Sequence, residues 1–259
     1  MRVADKVSII TGASRGLGRA MAVRFAREGA RLVLASRAKA DVDETGRMVR
    51  DAGAKAIVTY TDVTRWDDVK AMADAARREF GRIDVLVNNA GIAGPVARCE
   101  EITEADWDET FAVNVKGPWL CCKAVIPSMK AQRSGRIINI GSVSSKRQLP
   151  SRTPYTSGKM ALIGFTRTLA WELGEFGITV NIICPGPVPG PRWDRVVEGM
   201  AKVAGITPEE ANRTFLAQAA LKRLAEPDDI AAMAVFLASD ESRNMTGQDI
   251  NVTAGLIMY

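Results

Sequence analysis

The sequence predicts an α/β protein built on a doubly wound parallel sheet. Short apolar runs alternate with longer segments of helical period along the whole chain. Strands that alternate with helices need crossover connections, and these build parallel sheets covered on both faces. The first apolar run, residues 7–10, passes through TGASRGLG (residues 11–18) straight into a helical pattern. Small and polar residues follow the strands at 84–87 and 136–140, where such sheets hold ligands.

The first strand, Val7 to Ile10, feeds a helix over about 19–28. Gly12 permits a tight turn, Gly16 lets backbone approach a pyrophosphate, and Gly18 allows close helix–strand packing. Ser14, Arg15 and Leu17 complete this loop, and the helix N-terminus offers free N–H groups to phosphates. The spacing G-x-x-x-G-x-G has one residue more between the first two glycines than the common dinucleotide fingerprint. A second strand over 31–35 ends in Ser36 and Arg37, with no acidic residue to hold a ribose 2′-hydroxyl. Arg37 and Arg15 suit a 2′-phosphate instead, so NADP(H) is expected over NAD(H).

A polar-faced helix over 39–52 precedes a strand over 56–61 that ends in Asp62 and Val63. These two either bracket an adenine ring, or Asp62 caps the helix that starts near Trp66 and stops at Gly81. The buried strand over 84–87 leads to Asn88, Asn89, Ala90 and Gly91, either a plain turn or a place where a cofactor comes close. Thr103 caps a helix through Trp107 and Phe111, with acidic residues in its first turn. Asn114 interrupts its apolar face, and Pro118 predicts a kink or irregularity.

The strand over 136–140 leads to Ser142, thirteen residues before Tyr155. A turn with Pro150 and Pro154 then gives way to a helix over 160–173. After a strand over 178–183 comes the one Pro/Gly-rich stretch, Cys184 to Pro191. It opens a long lid or binding segment near 187–221, within which Thr207 and Pro208 mark a helix start. A helix over 228–238 and a strand over 248–252 close the pattern.

The 259 residues suit one domain spanning 1–259, with an ordinary globular composition. The net charge of +5 comes from scattered Lys and Arg with no basic run, so no nucleic-acid partner is expected. Histidine is absent, which removes Ser-His-Asp, Cys-His and His-ligated metal chemistry; no metal is expected. Cys99, Cys121, Cys122 and Cys184 lack C-x-x-C spacing, and three sit in apolar surroundings, as free thiols do in a reducing compartment. No apolar run reaches the roughly 18 residues of a membrane span, and a cytoplasmic enzyme fits.

Tyr155 and Lys159 stand four apart in YTSGK and share a face if that stretch is helical. A phenol has an ordinary pKa of about 10, and a nearby ammonium lowers it toward the working pH of a general acid/base. Taken alone, the pair reads equally as a surface Tyr and Lys at a helix start. Together with TGASRGLG, NNAG, Asn114, Ser142 and the turn at Pro185 and Gly186, it resembles the short-chain dehydrogenase/reductase family over essentially the whole chain.

That resemblance implies a single Rossmann domain with a seven-stranded parallel sheet. It implies Tyr155 as the catalytic acid/base, and Lys159 lowering its pKa and holding the nicotinamide ribose. Ser142 would bind the substrate oxygen, and Asn114 would support a water chain from Lys159. Hydride would pass between the nicotinamide C4 and the substrate carbon. Gly186 and the backbone of Val188 would flank the nicotinamide, because Gly190 stands near where the family often has Thr. Self-association as a homotetramer, or else a homodimer, is expected through the helices carrying Asn114 and Tyr155.

The substrate class expected is a small polar or anionic ketone or alcohol. Lys146, Arg147, Arg152, Arg192 and Arg195 crowd the segments around the site, and Arg152, Arg192 and Ser144 are the candidate substrate contacts. The alternative is a 3-oxoacyl thioester on acyl carrier protein, with Arg133 and Arg136 meeting the acidic carrier. Phe176 and the long lid depart from that pattern. A third possibility of another class is a non-catalytic NADP-binding sensor, which need not keep all of Asn114, Ser142, Tyr155 and Lys159.

Overall fold

The computed structural model describes residues 1–259, the side chain of Val203 excepted. The chain runs β1 (Val7–Thr11), α1 (Gly16–Arg27), β2 (Arg31–Ser36), α2 (Lys39–Asp51), β3 (Ala56–Tyr60), α3 (Trp66–Phe80) and β4 (Val85–Asn88). It continues through α4 (Glu104–Phe111), a π turn (Ala112–Lys116), α5 (Gly117–Gln132), β5 (Gly135–Ile140), α6 (Thr153–Leu173) and β6 (Ile178–Pro185). The last elements are α7 (Pro191–Ala204), α8 (Pro208–Leu216), α9 (Pro227–Ala238) and β7 (Asp249–Val252).

The strands form one seven-stranded sheet in the order β3-β2-β1-β4-β5-β6-β7, every pair parallel. The chain winds outward from β1 to β3, returns to place β4 on the other side of β1, and winds outward again. The crevice at this reversal, beyond the carboxyl ends of β1 and β4, is where the fold holds ligands. This is a single Rossmann-type domain, as the alternation of strands and helices predicts.

Side chains alternate across each strand, so neighbouring residues feed different cores. Ile10, Leu32 and Leu34 join Phe25 of α1 and Ile230 and Val235 of α9 on one face. Ile9, Leu86 and Ile137 join Met72 of α3, Val125 of α5 and Leu169 of α6 on the other. Fully burying one such aliphatic or aromatic side chain contributes about 1.5–3 kcal/mol. α7 and α8 stand apart with a small core of their own, Trp193, Val197, Ala201 and Ala211, against which Phe215 packs. Thr207 caps α8 through a capping box with Glu210, as the sequence predicts.

Two expectations about helix starts need correction, and the irregularity expected at Pro118 is present. α1 starts at Gly16 and not near residue 19, because the helical hydrogen bonds already enclose Gly16 to Gly18, with the Arg19 N–H on the Arg15 carbonyl at 3.4 Å. α6 starts at Thr153 and not at 160; Pro154 lies in its first turn, where a missing N–H costs nothing. The irregularity near Pro118 is a π turn in a continuous helical run, with the Gly117 N–H bonded five residues back to Ala112. Pro118 has no N–H to offer the Asn114 carbonyl four residues earlier, so the regular ladder cannot continue there.

Candidate active site

The loops that follow β1, β4, β5 and β6 meet at the crevice. A Cβ on Gly18 would overlap the Gly12 carbonyl oxygen, and one on Gly12 would come within 2.8 Å of Ala90 Cα. Neither position tolerates a larger residue without backbone movement. Gly16 is different: it has φ +54° and nothing lies within 4 Å of where a side chain would begin. Its open side lies over the N-terminus of α1, where Arg15 makes no side-chain cap and the first turn holds no acidic residue. These uncapped N–H groups form a ready anion site, and Arg15 stands exposed beside them. Leu17 is half-buried at the turn.

Residues not singled out in the sequence hold this turn. The Ser14 carbonyl accepts from Arg19 Nη2 at 2.8 Å, Arg19 Nε at 3.1 Å and Thr45 Oγ1 at 3.2 Å. Thr11 Oγ1 accepts from the N–H groups of Asn89 at 3.0 Å and Ala90 at 3.1 Å. Asn89 Nδ2 donates to the carbonyls of Thr11 at 2.9 Å and Gly12 at 3.1 Å. The segment Asn89 to Gly91 is thus tied to the glycine turn and is not a free-standing loop. Thr11 was visible as the first letter of TGASRGLG, but no periodicity marks a hydroxyl that serves two amides.

At the end of β2, buried Ser36 accepts from the Ala38 N–H at 3.2 Å. Arg37 is exposed, and its Nη1 lies 3.3 Å from Asp62. Asp62 Oδ1 accepts from the Thr64 N–H at 2.9 Å and from Thr64 Oγ1 at 2.7 Å. Burial pushes the Asp62 carboxyl up, but Thr64 and the Arg37 charge win and hold it below the usual carboxylate value. Asp62 is therefore not the cap of α3, whose N-cap position is Arg65. Val63 is buried and packs against Gly117. An exposed ion pair such as Arg37–Asp62 contributes roughly 0–1 kcal/mol, so it can exchange partners readily.

Because α6 begins at Thr153, Tyr155 and Lys159 lie on one helical face. Lys159 is buried and donates from Nζ to the Ile140 carbonyl at 2.7 Å. Burial pushes the Tyr155 phenol up; Lys159, Arg192, a hydrogen bond with Ser142 and Arg152 together pull it below the ordinary phenol value. Burial also holds the Lys159 ammonium below its ordinary value, against the pull of Tyr155. Ser142 Oγ accepts from the Ser144 N–H at 3.1 Å and donates to Ser144 Oγ at 3.2 Å. Ser145 Oγ donates to the Ser142 carbonyl at 2.7 Å, which fixes the short turn after β5.

Asn114 is fully buried in the π turn. Its Oδ1 accepts from the Ile92 N–H at 2.9 Å and its Nδ2 donates to the Ile92 carbonyl at 3.0 Å. The side chain thus ties the Ile92 backbone to the π turn. Gly91 lies against both groups: a Cβ there would sit 3.1 Å from Asn114 Oδ1 and 3.6 Å from Lys159 Nζ. Pro185 ends β6, the Gly186 N–H bonds the Val252 carbonyl at 2.9 Å, and Val188 packs against the core.

The basic residues sort into two groups. Arg152 is buried, donates to the Ala93 carbonyl at 2.7 Å, and stands 5.0 Å over the Tyr155 ring. Arg192, in the first turn of α7, donates to the Gly91 carbonyl at 2.9 Å. The others do not reach the site as expected. Lys146 pairs with Asp249 at 2.9 Å and donates to the Tyr259 carbonyl. Arg147 bonds Gln218, and Arg195 bonds Pro191 of its own helix. Arg136 is buried at the start of β5 against Asp240, whereas Arg133 is exposed and donates from Nη2 to the Glu175 carbonyl at 2.8 Å. Charge alone in the sequence does not separate these cases, since partners distant in the chain decide them.

Residues 12–257 match the family model described as enoyl-(acyl carrier protein) reductase. The chain is 39% identical over 263 residues to the (2S)-[(R)-hydroxy(phenyl)methyl]succinyl-CoA dehydrogenase subunit BbsD of Thauera aromatica, covering 100% of this chain and 99% of that one. It is 36% identical over 258 residues to the 3-oxoacyl-[acyl-carrier-protein] reductase FabG of Thermotoga maritima, covering 100% of both. The crystal structure of an NAD+-bound xylitol dehydrogenase superposes with a TM-score of 0.95 at 32% identity, over 98% of this chain and 100% of that one. The chain belongs to the short-chain dehydrogenase/reductase family. It is an oxidoreductase acting on CH–OH groups.

Proposed function

We propose that the protein interconverts a secondary alcohol and a ketone on a small polar or anionic substrate, with NADP(H) as the hydride carrier. The observation that carries this is the convergence on Tyr155 of Ser142 and three cations, which holds its phenol below the ordinary value. The crevice fits a dinucleotide. Gly16 leaves open space over an uncapped helix N-terminus, which suits a pyrophosphate. Ser14, Arg15, Leu17 and Gly18 would line that end with Gly12. Ser36, Arg37, Asp62 and Val63 would line the adenosine end. Asn89, Ala90, Gly91, Pro185, Gly186 and Val188 would line the nicotinamide end with Lys159.

When bound, the nicotinamide supplies a hydride to the carbonyl carbon in reduction and accepts one in oxidation. Ser142 donates a hydrogen bond to the substrate oxygen. Tyr155 gives that oxygen a proton in reduction and removes it in oxidation. Lys159 stabilises the phenolate that remains. Asn114 holds the segment from Gly91 to Ile92 in place. Arg37 turns from Asp62 toward a 2′-phosphate; the missing acid at the end of β2 supports NADP(H), whereas the xylitol dehydrogenase structure carries NAD+. The test is oxidation of NADPH and NADH on a panel of keto acids, sugar-derived ketones, apolar diketones and acetoacetyl thioesters. Activity should fall about 10²–10⁴-fold in Tyr155→Phe. Near-normal turnover in that variant removes Tyr155 from the chemistry.

A second reading, reduction of a 3-oxoacyl thioester on acyl carrier protein, is favoured by the full-length likeness to the Thermotoga reductase. The burial of Arg136 against Asp240 weighs against it. Tyr155-dependent activity confined to thioesters would select it. Self-association through the faces of α5 and α6 is supported by the exposed Trp119, Met160 and Trp171. Sedimentation velocity separates a tetramer from a dimer and a monomer. A cytoplasmic setting is supported by the buried free thiols of Cys121, Cys122 and Cys184.

A further inference from the structure

The charge around Tyr155 does not balance. Lys159, Arg152 and Arg192 all act on its phenol. Among the described residues no carboxylate pairs with any of the three; each donates to a backbone carbonyl instead. One phenolate can neutralise only one of them.

Arg152 is the sharper anomaly. It is 5% exposed, yet its Nε is buried without a partner. A guanidinium carries five N–H donors, and Arg152 commits Nη2 to Ala93. Leaving a buried ion with idle donors is costly unless a second charged group meets it. Its position 5.0 Å over the Tyr155 ring supplies a cation–π contact but no acceptor for the idle N–H groups. Burial holds the guanidinium below its ordinary value, with Arg192 pushing the same way.

Arg192 reaches the same place from another element. It rests on Gly91, two residues before the Ala93 that Arg152 holds. One guanidinium comes from the start of α6, buried; the other comes from the first turn of α7, exposed to solvent. Both have donors to spare; Arg152 lies over the Tyr155 ring, and Arg192 reaches Gly91, which abuts Lys159. Paired guanidinium forks match the planar or trigonal oxygens of a carboxylate or sulfonate.

We propose that Arg152 and Arg192 form a two-armed clamp for a carboxylate or sulfonate carried by the substrate, a few bonds from the carbinol carbon. Arg152 is the buried arm and Arg192 the exposed arm, carried by the first turn of α7. This deepens the proposed function and rests on it, naming short oxo acids and their hydroxy partners as the substrate class. The close spacing follows from Arg152 lying against the Tyr155 ring, since one molecule must reach both the clamp and the phenol.

The test compares kcat/KM for acetoacetate with that for its neutral methyl ester, and adds 2-oxopropanesulfonate to separate carboxylate from sulfonate. The wild-type enzyme should prefer one of the anions over the ester by more than about 10²-fold. Arg192→Gln and Arg152→Gln should each reduce that preference about 10- to 150-fold, the loss typical of one charge-assisted contact. Arg192→Lys should recover part of it. Arg152→Lys serves where the buried Gln variant fails to fold, as checked by its melting curve. An anion-to-ester ratio near one in the wild type, or an equal loss on both substrates in every variant, overturns the clamp. Calorimetric titration of malonate into the NADP+-loaded enzyme decides the matter without turnover. Saturable binding that Arg192→Gln weakens supports the clamp even if the panel shows no reduction, which would sink only the reaction. Absence of binding overturns the clamp.

Discussion

Replacing Asn114 by Ala separates holding a segment in place from doing chemistry. The side chain is fully buried and satisfies both polar groups of the Ile92 backbone, at 2.9 Å and 3.0 Å. Its loss leaves an N–H and a C=O without partners, each costing about 1–3 kcal/mol when buried. Ile92 is only half-buried, so water recovers part of this, and the expected loss is about 2–4 kcal/mol. Urea unfolding reads it as a lower midpoint with an unchanged slope. The Gly91 segment, which abuts Lys159, loosens with it, so turnover should fall too. Asn114→Asp sharpens the test. Its carboxylate still accepts from the Ile92 N–H but meets the Ile92 carbonyl oxygen to oxygen, and only the protonated acid can donate there. The folded-state pKa of this Asp is therefore raised, and its stability penalty is present above that pKa and relieved as the pH falls through it. A destabilisation below about 0.5 kcal/mol for Asn114→Ala, or a pH-independent penalty for Asn114→Asp, would refute the clamp on Ile92.

With Tyr155 as the proposed base, kcat/KM for alcohol oxidation should rise with pH and level off with a midpoint below the ordinary phenol value. Lys159→Met removes a cation that favours the phenolate, so the midpoint should move to higher pH; an unmoved midpoint in a folded variant refutes this electrostatic role. Gly18→Ala should cost about 1–3 kcal/mol in thermal stability, because the added Cβ meets the fixed Gly12 backbone, and should abolish measurable NADPH binding by calorimetry. Wild-type cofactor affinity in that variant would show that the turn is not the pyrophosphate site. Arg37→Asp should weaken NADPH about 10-fold or more while leaving NADH nearly as it was, as read by competition of the two cofactors. An unchanged preference places the 2′-phosphate elsewhere.

The legible parts of this protein are those whose chemistry is local in the chain. Gly18 is required by its contact with Gly12 inside one strand–turn–helix unit and Gly12 by its φ of +65° in the turn, so their spacing announces them, although the approach of Ala90 to Gly12 is not local. Tyr155 and Lys159 are one helical turn apart, and their helix needed only an earlier start at Thr153 than the apolar pattern showed. Thr103 and Thr207 announce their helices because capping joins residues three apart. The illegible parts join residues far apart in the chain. Thr11 meets Asn89 across 78 positions, Asn114 meets Ile92 across 22, and Lys146 meets the Asp249 carbonyl across 103. Nothing local distinguishes Arg136, buried against Asp240, from Arg152, buried with a spare donor. That difference decides which arginine is scaffold and which is available to a ligand.

The same division runs through the site itself. The groups proposed to move the proton stand at the end of β5 and on α6, and those proposed to hold the dinucleotide stand mainly at the ends of β1, β2, β3, β4 and β6, all on elements rooted in the two main cores. α7 and α8, proposed to close the substrate side, pack on each other through Trp193, Val197 and Phe215. Polar contacts such as Arg192 to Gly91 and Arg147 to Gln218 join this pair to the body. A unit with its own core can change sequence without disturbing the packing beneath the proton-transfer groups. This explains how relatives alike over nearly their full lengths carry names as different as a succinyl-CoA dehydrogenase, an acyl-carrier-protein reductase and a xylitol dehydrogenase. It follows that substrate choice here should track α7, and Arg192 at its first turn above all, while the pH dependence of the reaction should track Tyr155 and Lys159. A chimera carrying a relative's α7–α8 segment should change the preferred ketone and keep the pH profile.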